Sequence, residues 1–209
     1  VYEHFQRWTA CGIFSQILRI CLMYYDELKS ISWEWQAMDG CLLQAPGCGK
    51  DPQDGLGRNP TDRGRGGTKL HILVDEDGTP LGIEVKGANV HDSRLVGTTF
   101  EELIIEQPET SKEVPPHLLL DKGYDYPRVE DEVLTKGYIP HIKKRGIREE
   151  STNLPDGTNH PARRWVVERT FAWLKAFRAL RTRYTRKLAH YKAFVYLACA
   201  LLIFQRAIA

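Results

Sequence analysis

The sequence predicts an α/β fold with a mixed five-stranded sheet flanked by helices. Three observations predict it. Two apolar runs, TKLHILVD and LGIEVKG, flank the turn EDGTP, and its Asp77-Gly78 pair is a strong hairpin signal. From Asp92 onward, helical and strand-like segments alternate, which implies parallel crossovers. The last part of the chain, from Ala162 to Ile208, carries helical periodicity.

Residues 3–29 place Phe5, Trp8, Phe14, Ile17, Leu18, Leu22 and Met23 at mostly helical spacing. We read residues 1–30 as a helical segment, the remnant of a preceding N-terminal domain, and 31–209 as the main domain. Residues 32–43 mix alternation with aromatics and read as the first strand. Gln44–Gly67 is rich in Gly, Pro and Asp and reads as a long, partly mobile loop without core residues. The hairpin strands follow at 68–75 and 81–87. Asp92 and Ser93 suit the N-terminus of a helix reaching Ile105. HLLLD is the fourth strand. Tyr126-Pro127 opens a helix that ends at Gly137. YIPHIKK is a short fifth strand.

The chain has 209 residues and a formal net charge of +2, unevenly spread. Gly97–Glu132 holds ten acidic against three basic residues, whereas Lys136–Lys192 holds fifteen basic against four acidic. That asymmetry fits an anionic partner for the C-terminal part, and equally a solvated helical face. Five scattered cysteines without a CxxC pair suggest neither zinc nor a disulfide framework and fit a reduced cytosolic protein. The run AFVYLACALLIFQRAIA is short for a membrane span and reads as a core helix.

Three acids stand out. Asp39 and Asp121 each end a strand-like run, and Glu168 sits within the basic, aromatic run RRWVVERTFAWLKAF. Ligand sites in α/β sheets lie beyond strand ends, so neighbouring strands would bring Asp39 and Asp121 together with Glu168 facing them. Such hard oxygen donors suit two Mg²⁺ or Mn²⁺ ions and phosphoryl transfer. Both Asp residues equally suit turns with Gly40 and Gly123. Arg164, Glu168 and Lys175 share one helical face, and Val166, Trp173, Phe177, Leu180 and Tyr184 mark an apolar one. Trp165 and Trp173 read as core.

These residues resemble bacterial insertion-sequence DDE transposases of the insertion sequence four/five type. The matching blocks are WEWQAMDG, GRNPTDRGRGGTKLHILVDEDGTPLGI, GANVHDSR, LLLDKGYD and RRWVVERTFAWLKAFRALRTRY, spanning residues 33–184 in the family's order. The resemblance implies a ribonuclease-H-like fold and a catalytic triad of Asp39, Asp121 and Glu168 binding two Mg²⁺. It implies cleavage of element ends and joining of the 3′-hydroxyl to target DNA. The signature of Tyr, then Arg, Glu and Lys carried by related transposases is matched at Arg164, Glu168 and Lys175, while Pro161 stands at the Tyr position. It further implies double-stranded DNA as partner, a homodimer on DNA, and a bacterial cytoplasmic, nucleoid-associated location without a membrane. His91 and Asp92 are expected near the site. Arg58, Arg63, Arg65, Lys69, Lys122, Arg178, Arg181 and Arg183 are candidate DNA contacts beside Arg164 and Lys175, on backbone rather than bases. A nuclease of the same fold and an inactive DNA-binding remnant are the alternatives.

Overall fold

The computed structural model describes residues 1–107, 114–143, 152–153, 159–160 and 165–208. Pro161 and Arg164 therefore lie outside the described residues. Strand β1 (Trp35–Gln44) is the axis of the sheet. After the two-residue β2 (Gly57–Arg58), β3 (Gly66–Asp75) returns antiparallel to β1, and β4 (Pro80–Gly87) pairs antiparallel with β3. On the other side of β1, β5 (His117–Leu120) and β6 (Ile139–Ile142) add in parallel. The order β4-β3-β1-β5-β6 contains the five expected strands in a ribonuclease-H-like arrangement. The short β2 extends the edge of β3 at Gly66 and Gly67.

Two helices, α1 (Tyr2–Ala10) and α2 (Ile13–Lys29), precede the sheet. The crossovers contain α3 (Val96–Glu101) and α4 (Pro127–Thr135). The C-terminal part forms α5 (Trp165–Ala176), α6 (Arg178–Arg181) and α7 (Leu188–Ile208). Leu18, Leu22 and Tyr25 of α2 join the same hydrophobic core as Met38, Ile72, Val195 and Ile203. The helical segment 13–29 is thus built into the main core rather than standing apart from it. By length and composition α7 is apolar enough to cross a membrane, but Tyr191, Val195, Cys199 and Ile203 are buried in that core.

β3 is buried along nearly its whole length although Thr68, Lys69, His71 and Asp75 are polar. Each has a partner, as burial demands. The Thr68 hydroxyl donates to Gly55 O, and Lys69 Nζ to Val90 O. His71 is hydrogen-bonded at both ring nitrogens. Asp75 Oδ1 accepts from the backbone N–H of Asp77 and Thr79 and so shapes the hairpin turn, where Gly78 adopts φ 81°.

Three sequence expectations are corrected. The segment after Asp92 is a 3₁₀ turn, Asp92–Arg94, followed by only the six residues of α3. His91, not Asp92, caps that turn by accepting from Ser93 N. The C-terminal helical pattern does not run through Tyr184. It breaks at Phe177 (ψ 118°) and again at Thr182, which is extended and bridges Gln44, and Tyr184 is exposed. Finally, the Gln44–Gly67 segment holds core residues, since Leu56 and Asn59 are buried.

One side chain explains the last two corrections. Arg183 is fully buried. Its guanidinium donates to the carbonyls of Asp54, Gly55, Thr185 and Arg186 and to Thr68 Oγ1, and lies 4.8 Å from the Tyr191 ring centroid. Its backbone N–H donates to Gln44 O at 2.8 Å. An extended chain at Thr182 is what carries Arg183 to this position. The 51–58 segment is ordered because its carbonyls solvate the buried charge.

Replacing Arg183 with Met should cost at least about 3 kcal/mol, because four carbonyls lose a donor at roughly 1–3 kcal/mol each when buried. Urea denaturation measures this. Arg183→Lys should not restore it, since a point donor cannot replace the planar fork.

Burial raises the Asp75 carboxyl to about 6 from its ordinary 3.8, against the opposing turn hydrogen bonds from Thr79. The folded state therefore holds this proton more tightly than the unfolded chain. Its contribution to stability is complete below pH ~4 and is lost as pH rises through about 6. Urea titrations of Asp75→Asn at pH 4, 5, 6 and 7 should lack this decline; an unaltered slope refutes the assignment.

Candidate active site

β1 and β5 run parallel with Ala37 opposite Leu119. Counting two residues along each chain puts Asp39 and Asp121 side by side, on adjacent strand paths and on the same face. Each carboxylate is held by the N–H that follows it. Gly40 N donates to Asp39 Oδ1 at 2.8 Å, and Lys122 N donates to Asp121 Oδ1 at 2.6 Å. Asp121 thereby also caps the 3₁₀ turn Lys122–Tyr124. The turn-forming role and the site position coexist in one residue.

Cys41 and Leu43, on the Asp39 face of β1, meet Phe171 and Leu174 of α5, while Ala37 and Leu119 lie near Val166. So α5 crosses the face that carries both Asp residues. Its buried residues are Val166, Val167, Thr170, Phe171 and Leu174. Arg169 leans to one flank, donating to Asp77 O at 2.7 Å. Glu168 is exposed, and helical geometry puts it on the other flank with Phe171 and Lys175. Asp39 and Asp121 are thus brought to the sheet face that α5 crosses, and Glu168 stands exposed on α5. Among the described residues, no three His, Cys, Asp or Glu side chains stand close enough to share one ion. The donor set is carboxylate oxygen only, which fits a hard divalent cation.

Behind Asp39 is a tightly packed polar layer that the sequence reading did not find. Tyr124 is 1% exposed, and its hydroxyl is hydrogen-bonded to Asp39 and to His71 Nε2, the latter at 2.7 Å. Burial, then the charges of Asp39, Asp92 and Asp121, hold the Tyr124 hydroxyl well above the ordinary tyrosine pKa. Burial lowers His71 to about 3. The missed signal was the Tyr of LLLDKGYD, three residues beyond Asp121.

Asp92 and His91 are adjacent to this layer. Asp92 Oδ2 lies 3.0 Å from Lys69 Nζ, and Asp92 Oδ1 is buried against Gly40 without a hydrogen-bond partner. His91 is exposed, stacks edge-on with Tyr126, and hydrogen-bonds Ser93 Oγ at 2.9 Å.

The basic residues divide. Arg58, Arg63, Arg65, Lys122, Arg178 and Arg181 are exposed, and Lys175 is half-buried. Lys69 and Arg183 are corrected as DNA contacts. Both are buried and spend their donors inside the protein, on Asp92 and Val90 and on the carbonyl cage. Arg164 lies outside the described residues. Arg94, not singled out by sequence, lines a cavity of about 350 Å³ with Asn89, Val90 and His91. Trp165 is exposed rather than core. It and the half-buried Trp173 sandwich Arg169, whose guanidinium carbon lies 4.6 and 4.8 Å from the two ring centroids.

Residues 36–203 match the family described as Transposase DDE domain. A putative transposase for insertion sequence element IS402, from Burkholderia cepacia, is 40% identical over 152 residues, covering 70% of this chain and 67% of that protein. Among solved structures, the piggyBac transposase synaptic complex with hairpin DNA is similar with a TM-score of 0.47 at 12% identity. That match covers 85% of this chain, and the chain spans about half (48%) of that one. The Mos1 mariner paired end complex with Mn gives a TM-score of 0.42 at 11% identity, covering 93% and 61%.

A Cβ at position 40 would collide with Asp92 Oδ1 and press on His71 Cδ2. Gly40→Ala should therefore destabilise the protein by about 1–3 kcal/mol, the usual cost of overpacking. Denaturant unfolding tests this, and an unchanged midpoint would show that Asp92 moves aside freely.

Proposed function

The chain belongs to the Transposase DDE domain family, and from that membership we propose that it is a DNA transposase that cuts element ends and joins the 3′-hydroxyl to target DNA. The observation that carries the proposal is that Asp39, within β1, lies on the same face as Asp121, which follows the end of the parallel β5, with the helix bearing Glu168 crossing that face. In this reading Asp39 and Asp121 hold divalent metal, Mg²⁺ or Mn²⁺, and Glu168 completes the site. Two bound ions would polarise the scissile phosphate and stabilise charge on the attacking and leaving oxygens.

The chain's own residues do the rest. Gly40 N and Lys122 N each hold one carboxylate oxygen, of Asp39 and of Asp121, and so set how these two side chains are turned. Exposed Arg58, Arg63, Arg65, Lys122, Arg178 and Arg181 and the half-buried Lys175 serve as backbone contacts for double-stranded DNA, giving affinity without sequence choice. Arg94 joins them beside its cavity. A homodimer holding two element ends, and a bacterial cytoplasmic location on the nucleoid, complete the proposal.

Asp121→Ala should lower Mg²⁺-dependent cleavage of a labelled element end at least ~100-fold, as loss of an active-site charge does, while DNA binding by mobility shift stays within a few-fold. A labelled end incubated with a target plasmid should also give joined product with the unmodified chain. Cleavage that survives in the variant removes Asp121 from the chemistry, and cleavage without joining leaves a nuclease.

A further inference from the structure

The hydrogen bonds behind Asp39 form one continuous line. The Leu95 carbonyl, the Thr99 hydroxyl, the His71 ring, the Tyr124 hydroxyl and the Asp39 carboxylate follow one another. Thr99 Oγ1 lies 2.7 Å from Leu95 O and 2.7 Å from His71 Nδ1, and His71 Nε2 lies 2.7 Å from the Tyr124 oxygen. Thr99 and His71 are fully buried and Tyr124 is 1% exposed, so solvent cannot supply alternative partners.

Three protons serve these four contacts, so one contact carries none, and with both His71 bonds kept two directions remain. His71 is neutral, since burial lowers its pKa to about 3, so it carries a single N–H. Thr99 and Tyr124 carry one O–H each. If Thr99 donates to Leu95 O, then His71 Nδ1–H donates to Thr99, and Nε2 must accept the Tyr124 proton. Tyr124 would then present only lone pairs to the Asp39 carboxylate. If Thr99 instead donates to His71 Nδ1, then Nε2–H donates to Tyr124, and the Tyr124 O–H points at Asp39. Only the second arrangement ends in a charge-assisted bond to an anion, which is the stronger kind; it gives up the Thr99 hydroxyl's bond to Leu95 O, a neutral one. Leu95 O keeps the backbone donor Thr99 N at 2.9 Å in either case.

We infer that Tyr124, oriented by His71 and Thr99, is a positioning residue whose hydroxyl donates to Asp39 and fixes which carboxylate lone pairs remain for a metal ion. This rests on the reading of Asp39 as a metal ligand. Gly40 N supplies the second fixed donor. The two donors together set how the Asp39 carboxylate is turned. Groups that orient a ligand from behind in this way typically change metal affinity or activity by ~10–100-fold when removed.

The test uses the full chain and Mn²⁺ as probe. Tyr124→Phe keeps the buried ring and removes only the hydroxyl. It should weaken Mn²⁺ binding, read by titration calorimetry, at least ~10-fold. It should also raise the Mg²⁺ concentration for half-maximal end cleavage by a similar factor, with the rate at saturating Mg²⁺ much less affected. A purely structural role would lower the amount of folded protein without moving either midpoint, and unchanged midpoints overturn the inference. The unmodified chain provides a second reading. Without metal, ¹⁵N NMR should show His71 as the Nε2–H tautomer, and the Nδ1–H tautomer overturns the inference. Asp39→Asn separates the two claims. If it weakens Mn²⁺ binding while Tyr124→Phe does not, the positioning role alone fails. If Asp39→Asn leaves binding unchanged, the site reading fails and the inference fails with it.

Discussion

The buried guanidinium of Arg183 is the constraint on which the rest of the architecture depends. A charge removed from water needs its full complement of partners, and among the described residues no carboxylate forms an ion pair with it. Four backbone carbonyls and one threonine hydroxyl supply them. Those carbonyls come from two segments far apart in sequence, 54–55 and 185–186, and the hydroxyl comes from β3. Satisfying one side chain therefore fixes the loop between β1 and β3, the edge of the sheet, and the strap between α6 and α7. The strap in turn bounds α5. Its N-terminal neighbour α6 follows directly on the helix that carries Glu168, and Thr182 is tied back to the end of β1 through Gln44. A residue remote from the acids thus sets the line along which their helix crosses the sheet.

The second organising device is the polar filling of β3. A central strand is expected to be apolar when both its faces are covered. Here Lys69, His71 and Asp75 lie on one face and each is paired locally. The paired register places Gly40 of β1 opposite His71, which explains why position 40 carries no side chain. The space that a Cβ would occupy is taken by Asp92. Backbone pairing, a missing side chain and a buried polar layer therefore cooperate to bring Tyr124 and Asp92 to the flank of Asp39.

Much of this was legible in the sequence, and for identifiable reasons. The Asp77-Gly78 turn and the strand-like runs announced the hairpin and the parallel strands, because sheet patterning is local and has period two. Asp39 and Asp121 were visible as acids at the ends of apolar runs. What was not legible depends on pairing between distant segments. Lys69 and Arg183 look like any other basic residue in a DNA-binding chain, since charge alone does not reveal burial. Tyr124 looked like part of a turn, and Thr99 like an ordinary helical residue, because their value lies in His71, which stands on another strand. The break at Phe177 has no Gly or Pro to mark it. Helical propensity there is overridden by the need to deliver Arg183 to its cage.

Electrostatics at the site then follow from which charges are answered internally. Asp39, Asp92 and Asp121 all raise the pKa of the one Tyr124 hydroxyl, so each acts on that group. Lys69, itself buried, answers Asp92 at 3.0 Å. It thereby withdraws Asp92 from the pool of negative charge and explains why a lysine in the middle of a central strand is tolerated. Asp39 and Asp121 lie as like charges on neighbouring strand paths, roughly 5 Å apart by the usual spacing between strands. Two such carboxylates repel in the folded chain, and a divalent cation between them would convert that repulsion into attraction. Ligand binding to the folded state alone raises stability in proportion to RT ln(1 + [L]/Kd). On the proposed reading of Asp39 and Asp121 as metal ligands, stability and metal affinity would therefore be coupled, with the Tyr124 line holding the geometry against which that coupling acts.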